Sequence, residues 1–433
     1  MAKVIAVCGA GGKTTYVYNK AKEYASKGYK VAITTTTKMW LEDVVSNSNY
    51  KNEGASDKNK SVGANDNNKN VGASSASPIC RGEQCEPVVV GNHDDKHLLP
   101  LSQQEYDKLC KDYDIVLIEA DGSRMMPLKI PNIDKEPVIP HNINEIVVVY
   151  GLQSVGRKLG VVCQRFEEYK DLIKNIIDKN INYDTIVDIE IINKFYTELY
   201  YKPLKEKYNI DNISLYLSDM TDNTNYKQYK NIALNISASG FSKRFGNNKL
   251  LYELNNKKLY KIVIDEIIKA KDLLIKKIKE RYNYDINIDI SIVSQYDEIL
   301  NDIDYKNKII TIKNDNSFNG QSESIKIATK TFYDYDAICY FNCDTPNIDS
   351  AEIANMIFYF MCSNKSLGAI MTGNKLKNPA IFQKKYYDDI LNISGDMGAR
   401  FILSNNIKDC YAYHVDESML YDIDTIEDIK NLI

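Results

Sequence analysis

Three things are scarce in this sequence, and each scarcity removes a class of function. No apolar run approaches the roughly 18 residues that a membrane-spanning helix needs, and Met1-Ala2-Lys3 leads straight into a strand-like segment rather than a signal peptide. A membrane is therefore not expected, and the setting is read as cytoplasmic. Positive charge has no surplus: 55 Lys and Arg stand against 59 Asp and Glu, a formal net charge of -4. A nucleic-acid partner, whose phosphates call for a basic face, is not expected either. Paired cysteines are missing too. The nine cysteines are scattered without any Cys-x-x-Cys spacing, which fits reduced thiols rather than a disulfide framework.

What is present is a chain of 433 residues, 44% hydrophobic and 26% charged, long enough for two globular cores. Residues 4–7 read as an apolar strand, followed by a glycine loop, a helix over about 14–26, Gly28 as its stop, and a strand over 31–33. That is a βαβ unit. From 46 to 87 the composition shifts to Asn, Ser, Gly, Lys and Asp, with the near-repeats Glu53-Gly54-Ala55-Ser56, Val62-Gly63-Ala64-Asn65 and Val71-Gly72-Ala73-Ser74. So little apolar surface does not offset the entropy of ordering, and a flexible insertion is expected. Beyond it come the apolar run Val88-Val89-Val90-Gly91, a helix near 102–110, buried strands over 115–118 and 146–149, a helical stretch over 166–208, and a short strand over 213–217. The polar residues 221–230 read as a linker. A second βαβ pattern then starts at Ile232, with strands over 288–293, 337–341, 368–371 and 380–382. The expected fold class is α/β in two domains, 1–228 and 229–433, each a sheet with helices on its faces.

The strongest chemical signal follows the strand at 232–236. It reads Ser237-Ala238-Ser239-Gly240-Phe241-Ser242-Lys243-Arg244-Phe245-Gly246-Asn247-Asn248-Lys249. Small residues at the carboxyl end of a strand let backbone N–H groups approach phosphate oxygens, and Arg244 and Lys249 are placed to neutralise a triphosphate. The combination resembles the signature of the MobA/MocA-like NTP transferases, with Ile236-Ser237-Ala238-Ser239 where that family has Leu-Ala-Ala. Further markers follow in the family's order. Asn319-Gly320-Gln321-Ser322-Glu323-Ser324 resembles the helix start that faces the base. Asn342-Cys343-Asp344-Thr345-Pro346 resembles the turn whose aspartate holds Mg²⁺. Asn378-Pro379-Ala380, Gly395-Asp396-Met397-Gly398-Ala399-Arg400 and Asp422-Ile423-Asp424-Thr425 resemble stretches of the molybdenum cofactor cytidylyltransferases. Cys339 and Cys343, near this turn, are read as packing residues.

The resemblance implies a glycosyltransferase-A-like, Rossmann-like nucleotidyltransferase sheet and assigns roles. Ala238, Ser239, Gly240, Ser242, Gly246 and Ser324 would contact the nucleotide, Arg244, Lys249 and Asp344 would be catalytic, Asp344 and Asp424 would hold Mg²⁺, and Asp396 and Arg400 would meet the acceptor. Singly, each has a plainer reading: an aspartate after a strand is commonly a turn former or helix cap. Their order over some two hundred residues favours the transferase.

At the N-terminus, Val7-Cys8-Gly9-Ala10-Gly11-Gly12-Lys13-Thr14 sets glycines and Lys-Thr between a strand and a helix, as a P-loop does. Gly9, Gly11 and Gly12 would open the backbone to phosphate, Lys13 would meet its charge and the Thr14 hydroxyl a metal; Val7 stands where a P-loop has its first glycine. The strand at 31–33 runs into Thr34-Thr35-Thr36-Thr37-Lys38-Met39, and the strand at 115–118 into Glu119-Ala120-Asp121-Gly122, two carboxylates where a Walker-B group would lie. With Pro127-Leu128-Lys129-Ile130-Pro131, Glu136-Pro137-Val138-Ile139-Pro140 and Gln164-Arg165-Phe166, these resemble the YqeC family of selenium-dependent hydroxylase accessory proteins. That implies a P-loop-like parallel sheet which binds a nucleotide through Gly9, Gly11, Gly12, Lys13, Thr14, Glu119 and Asp121.

The joint expectation is a molybdenum cofactor cytidylyltransferase, taking CTP and molybdopterin with Mg²⁺, fused to a nucleotide-binding domain that serves maturation of a selenium-dependent molybdenum hydroxylase. Two alternatives stay open: a transferase using GTP or another phosphorylated acceptor such as a sugar or polyol phosphate, and a nucleotide-gated carrier that hands finished cofactor to an apo-hydroxylase.

Overall fold

The computed structural model describes residues 1–40, 49–51, 86–94, 97–132, 134–222, 224–242, 244–302, 305, 308–395 and 399–430. They form two compact α/β units, Met1–Asp219 and Met220–Ile433.

The first unit is built on seven parallel strands: β1 (Lys3–Gly9), β2 (Val31–Thr35), β3 (Asn49–Lys51), β4 (Val88–Val90), β5 (Ile115–Glu119), β6 (Glu145–Gly151) and β7 (Ile213–Ser218). Their order across the sheet is β7-β6-β1-β5-β2-β4-β3. Apolar residues run almost unbroken through β1, β5 and β6 because both faces are covered. Helix Lys13–Ser26 lays Val17, Tyr18, Ala21 and Ala25 against Ile5, Val7, Ile33 and Leu117. Helix Gln103–Asp112 covers Val4, Ala32 and Val116 from other side chains of the same strands. Its start is set by a reciprocal capping box between Ser102 and Glu105. The helical stretch expected over 166–208 is divided into Phe166–Ile176, Ile189–Phe195, a π-helical turn Tyr196–Tyr201 and Lys202–Tyr208. Asp188 restarts it by accepting a bond from the Ile191 N–H at 2.8 Å. Of the low-complexity stretch read as a flexible insertion, 46–48 and 52–85 lie outside the described residues; Asn49–Lys51 pairs in parallel with β4.

The second unit has the strands β8 (Asn231–Ala238), β9 (Asn287–Ser294), β10 (Ile310–Lys313), β11 (Ala337–Asn342), β12 (Leu367–Thr372), β13 (Lys375–Gln383) and β14 (Cys410–His414), in the order β10-β9-β8-β11-β13-β12-β14. The core strands β10, β9, β8 and β11 are parallel, whereas β13 runs antiparallel to both neighbours. Helices Leu259–Tyr282 and Ser350–Cys362 share the larger apolar core with one face of the sheet. The polar segment read as a linker packs within this unit: Tyr226 stacks on Tyr282 with ring centroids 3.8 Å apart, and Arg281 reaches Asp222 at 2.7 Å.

In each sheet the chain reverses its direction of travel between two adjacent strands. It leaves β1 towards β2 but leaves β5 towards β6; it leaves β8 towards β9 but leaves β11 for the opposite edge. Such switch points open a crevice at the carboxyl edge, where ligands bind in open α/β sheets.

Candidate functional sites

At the second crevice, two distant segments converge on Lys249. Its ammonium lies 2.7 Å from Asp344 Oδ2, 3.2 Å from Asp424 Oδ1 and 2.7 Å from the Ile423 carbonyl. The loop after β8 delivers the lysine through a local hydrogen-bond set: Ser242, in the left-handed region (φ 50°), accepts from the Lys249 N–H through Oγ, and Asn248 Oδ1 caps the turn that follows. Asp344 sits just past β11, with the Cys343 N–H bonded to Ser237 O at 3.2 Å and the Ile423 N–H bonded to the Asp344 carbonyl at 3.0 Å. Asp424 is fixed by Asp428, which accepts from the Asp424 and Thr425 N–H groups. Arg244 pairs with Asp424 Oδ2 at 2.9 Å from an exposed position.

The charges reinforce one another. Burial of Lys249 opposes its charge, yet Asp344 and Asp424 outweigh that and raise its pKa. Asp422 is pushed up to about 6, first by loss of water around the carboxyl and then by Asp344 and Asp424. Asp344 Oδ1 is a buried oxygen with no hydrogen-bond donor among the described residues. Among the described residues no group of three His, Cys, Asp or Glu gathers as a metal cage. The donor set nevertheless suits a hard cation shared with a polyphosphate: two carboxylates already straddle a positive charge, one has an oxygen to spare, and Mg²⁺ is commonly held by one or two carboxylates with phosphate and water completing the shell. A pocket of about 450 Å³ opens beside them, with Arg244, Lys377, Tyr421, Asp422 and Asp424 among its walls.

The remaining expected residues fall in different places. Ala238 and Ser239 are buried at the end of β8, while Gly240 and Gly246 stand in open space. Ser324 is buried in the first turn of helix Gln321–Thr331, where its hydroxyl accepts from Asn314 Nδ2 at 2.9 Å. Asp396 lies outside the described residues. Arg400 is exposed at the start of helix Arg400–Asn405, and no described hydrogen bond or ion pair joins it to the lysine–aspartate group. The Gly395 carbonyl accepts from the Ser322 N–H, in the first turn of helix Gln321–Thr331, at 3.2 Å.

At the first crevice, Gly9 (φ 96°) and Gly12 (φ 120°) occupy conformations that L side chains avoid; a Cβ at Gly9 would fall 2.3 Å from the Val149 carbonyl oxygen. Lys13 does not project outwards. It is 3% exposed, donates to the Gly9 carbonyl at 2.8 Å and pairs with Asp121 at 3.1 Å. Asp121, fully buried, also accepts from the Gly9 N–H at 3.1 Å and from Lys129 at 3.0 Å. Lys129 reaches Glu136 at 2.7 Å, and Glu136 meets Arg165 at 2.8 Å. Burial would raise Glu136, but Arg165 and Lys129 outweigh it and hold it at about 2. For Lys13 burial likewise opposes charge and Asp121 and Glu119 restore it, with its pKa raised. The two carboxylates read together in the sequence are thus divided: Asp121 is committed to the buried ion chain, and Glu119 accepts from the Thr14 hydroxyl at 3.0 Å. The threonine row ties the sheet edge together, Thr35 bonding the Glu119 carbonyl and Thr36 the Val138 carbonyl.

Sequence reasoning gave no role to Lys129, Glu136 and Arg165, although it placed each inside a motif. It passed over Lys377, Gln295 and Tyr296 altogether. A lysine within an apolar stretch, Pro127-Leu128-Lys129-Ile130-Pro131, was the available signal, since buried lysines are nearly always paired.

The two glycine-and-cation loops are alike in placement, and it is the family match that makes the second unit a nucleotidyltransferase-type domain. Residues 235–410 match the model of the MobA-like NTP transferase domain, and residues 5–167 match that of the YqeC protein. The chain therefore joins a YqeC domain to a MobA-like NTP transferase domain. An uncharacterized protein YqeC from Escherichia coli is 30% identical over 176 residues, which are 39% of this chain and 60% of that protein, so the match spans less than two thirds of its length. Among solved structures, a nucleotidyl transferase from Methanothermobacter is 13% identical, with 46% of this chain and 95% of that one covered and a TM-score of 0.38. A 4-diphosphocytidyl-2C-methyl-D-erythritol synthase from Anaerococcus prevotii is 15% identical, with 48% and 96% covered and a TM-score of 0.36. Among the described residues no helix is long and apolar enough to cross a membrane.

Proposed function

We propose that the second unit transfers CMP from CTP to molybdopterin, and that the first is a nucleotide-binding partner domain serving maturation of a selenium-dependent molybdenum hydroxylase. The observation that carries the transferase reading is the meeting of Lys249 with Asp344 and Asp424 at the switch point of the sheet. The acceptor's terminal phosphate is already an anion, so the reaction needs no side-chain nucleophile. An oxygen of that phosphate forms a bond to the α-phosphorus of CTP as the bond to the β-phosphate bridging oxygen breaks, and pyrophosphate leaves with that electron pair. Lys249 and Arg244 meet the charge gathering on the triphosphate, and the backbone after β8 receives its oxygens. Asp344 and Asp424 would hold Mg²⁺, which supplies charge neutralisation at the phosphates when bound. The molybdopterin and cytosine choices, and the acceptor role of Asp396 and Arg400, are supported by the motifs from 395 to 425.

In the first unit Gly9, Gly11, Gly12 and Thr14 would cradle phosphates, with Glu119 beside the Thr14 hydroxyl as the carboxylate turned to metal or water. Lys13 would leave Asp121 for a phosphate oxygen, and Lys129 would remain to balance Asp121. Calorimetry with Mg²⁺ and ATP, GTP or CTP tests this reading, heat being expected from wild type and lost in Lys13→Ala within an Asp344→Asn background that disables the second site.

A further inference from the structure

Three consecutive carbonyls, from the last residue of β8 into the loop after it, are each held by one of three consecutive side chains, from the last residue of β9 onwards. The Ala238 carbonyl accepts from Ser294 Oγ at 2.9 Å, the Ser239 carbonyl from Gln295 Nε2 at 2.7 Å, and the Gly240 carbonyl from Tyr296 Oη at 2.8 Å. In an extended strand successive carbonyls alternate between the two neighbours. Here three in a row turn to the same side, so the backbone leaves the strand conformation at this point. A trans peptide is planar, with its C=O and the following N–H pointing in opposite directions. Fixing these carbonyls towards β9 therefore turns the N–H groups of Ser239, Gly240 and Phe241 away from it. Runs of N–H groups turned to one side form anion-binding concavities.

The three holders are themselves restrained. Ser294 is fully buried. The other end of the Gln295 amide accepts from Ser317 Oγ at 2.9 Å, which fixes the amide's orientation, and the Gln295 backbone carbonyl accepts from Lys313 Nζ at 2.9 Å. Burial raises the pKa of Tyr296, so its phenol remains the donor. In the other direction, the Ser239 hydroxyl bonds the Val293 carbonyl at 3.2 Å.

We infer that Ser294, Gln295 and Tyr296 are positioning residues for the nucleoside triphosphate: they preorganise the loop's N–H groups as donors before the ligand arrives. The inference rests on the transferase reading of this site. None of the three touches the reacting atoms, so their loss weakens capture of the triphosphate and leaves the chemical step intact once the site is saturated.

The test is steady-state pyrophosphate release by the full chain, with CTP varied at saturating molybdopterin and Mg²⁺, for wild type, Gln295→Ala, Gln295→Glu and Tyr296→Phe. One hydrogen bond that orders a loop is worth roughly three- to tenfold in affinity. The expected result is a KM for CTP raised by about that factor in each variant, kcat within about twofold, and an unchanged KM for molybdopterin. Gln295→Glu, which keeps the acceptor for Ser317 but loses the donor to Ser239, should behave as Gln295→Ala does. Unchanged KM values, or a fall in kcat alone, would overturn the inference while leaving the transferase reading in place. Absence of pyrophosphate from wild type would overturn both. If a glutamine variant fails to fold, Tyr296→Phe, which removes one oxygen at a half-exposed ring, decides by the same criteria.

Discussion

Lys249 and Asp344, 95 residues apart in the chain, meet at 2.7 Å, with Asp424 on the other side of the same ammonium. The lysine stands where a positive charge is needed between two carboxylates, and it holds that place through a local turn rather than through the sheet. Asp344→Asn and Asp424→Ala should each lower kcat by roughly three powers of ten, since charge stabilisation at transferring phosphates is worth several kcal/mol, with melting temperatures close to wild type. Near-normal product formation by Asp344→Asn would remove the aspartate from the chemistry.

Loss of the lysine tests the other half of the pair. Lys249→Met leaves Asp344 and Asp424 facing each other without their shared cation, and pyrophosphate release should fall by about a hundredfold or more. Raising CTP should not restore the rate. A full recovery at high CTP would make Lys249 a ground-state binding group only.

In the first unit, Asp121 lies between two buried ammonium groups, Lys13 and Lys129. Asp121→Ala should destabilise that unit by about 3–5 kcal/mol, because it leaves the buried Lys13 without its carboxylate and Lys129 with Glu136 alone. Asp121→Ala combined with Lys13→Met, which takes away the stranded charge, should recover a substantial part of the loss in urea unfolding. Equal stability of single and double variants would show that Lys13 is not balanced through Asp121.

Glu136 supplies a pH signature. Its carboxyl is held at about 2 against an ordinary 4.5. A depressed folded-state value means stability that is fully present above the unfolded value and is lost as pH falls through the folded one. Wild type should therefore lose on the order of 2–3 kcal/mol from this group between about pH 4.5 and pH 2. Glu136→Gln should be less stable at neutral pH and flatter across that window. A Gln variant with the wild-type acid profile would contradict the Arg165–Glu136–Lys129 linkage.

Much of this was legible in the sequence because it was local. The apolar runs at β1, β5, β8 and β11, the glycines after β1 and the Ser-Gly loop after β8 each announce themselves within a dozen residues, and both sheets carry them at their carboxyl edges. What stayed hidden depends on long-range placement. That Asp121 turns inwards to Lys13 while Glu119 meets Thr14 follows from where the chain turns after β5, and two carboxylates one residue apart look equivalent in a sequence. Lys129, Glu136 and Arg165 come from three segments and form a chain only once those are packed. The antiparallel course of β13 gives no local signal either, since an apolar strand reads the same in both directions. Ser294, Gln295 and Tyr296 are ordinary residues whose role appears only when β9 lies beside β8.

The most direct test of the central claim is pyrophosphate release by the purified full chain in Mg²⁺, with ATP, CTP, GTP and UTP each offered molybdopterin, a sugar phosphate or a polyol phosphate. The account predicts pyrophosphate in stoichiometry with a CMP-linked product for CTP and molybdopterin. Turnover with GTP or a sugar or polyol phosphate instead would reassign the base or the acceptor. Binding of finished cofactor with no pyrophosphate from any pair would contradict catalysis and leave a carrier.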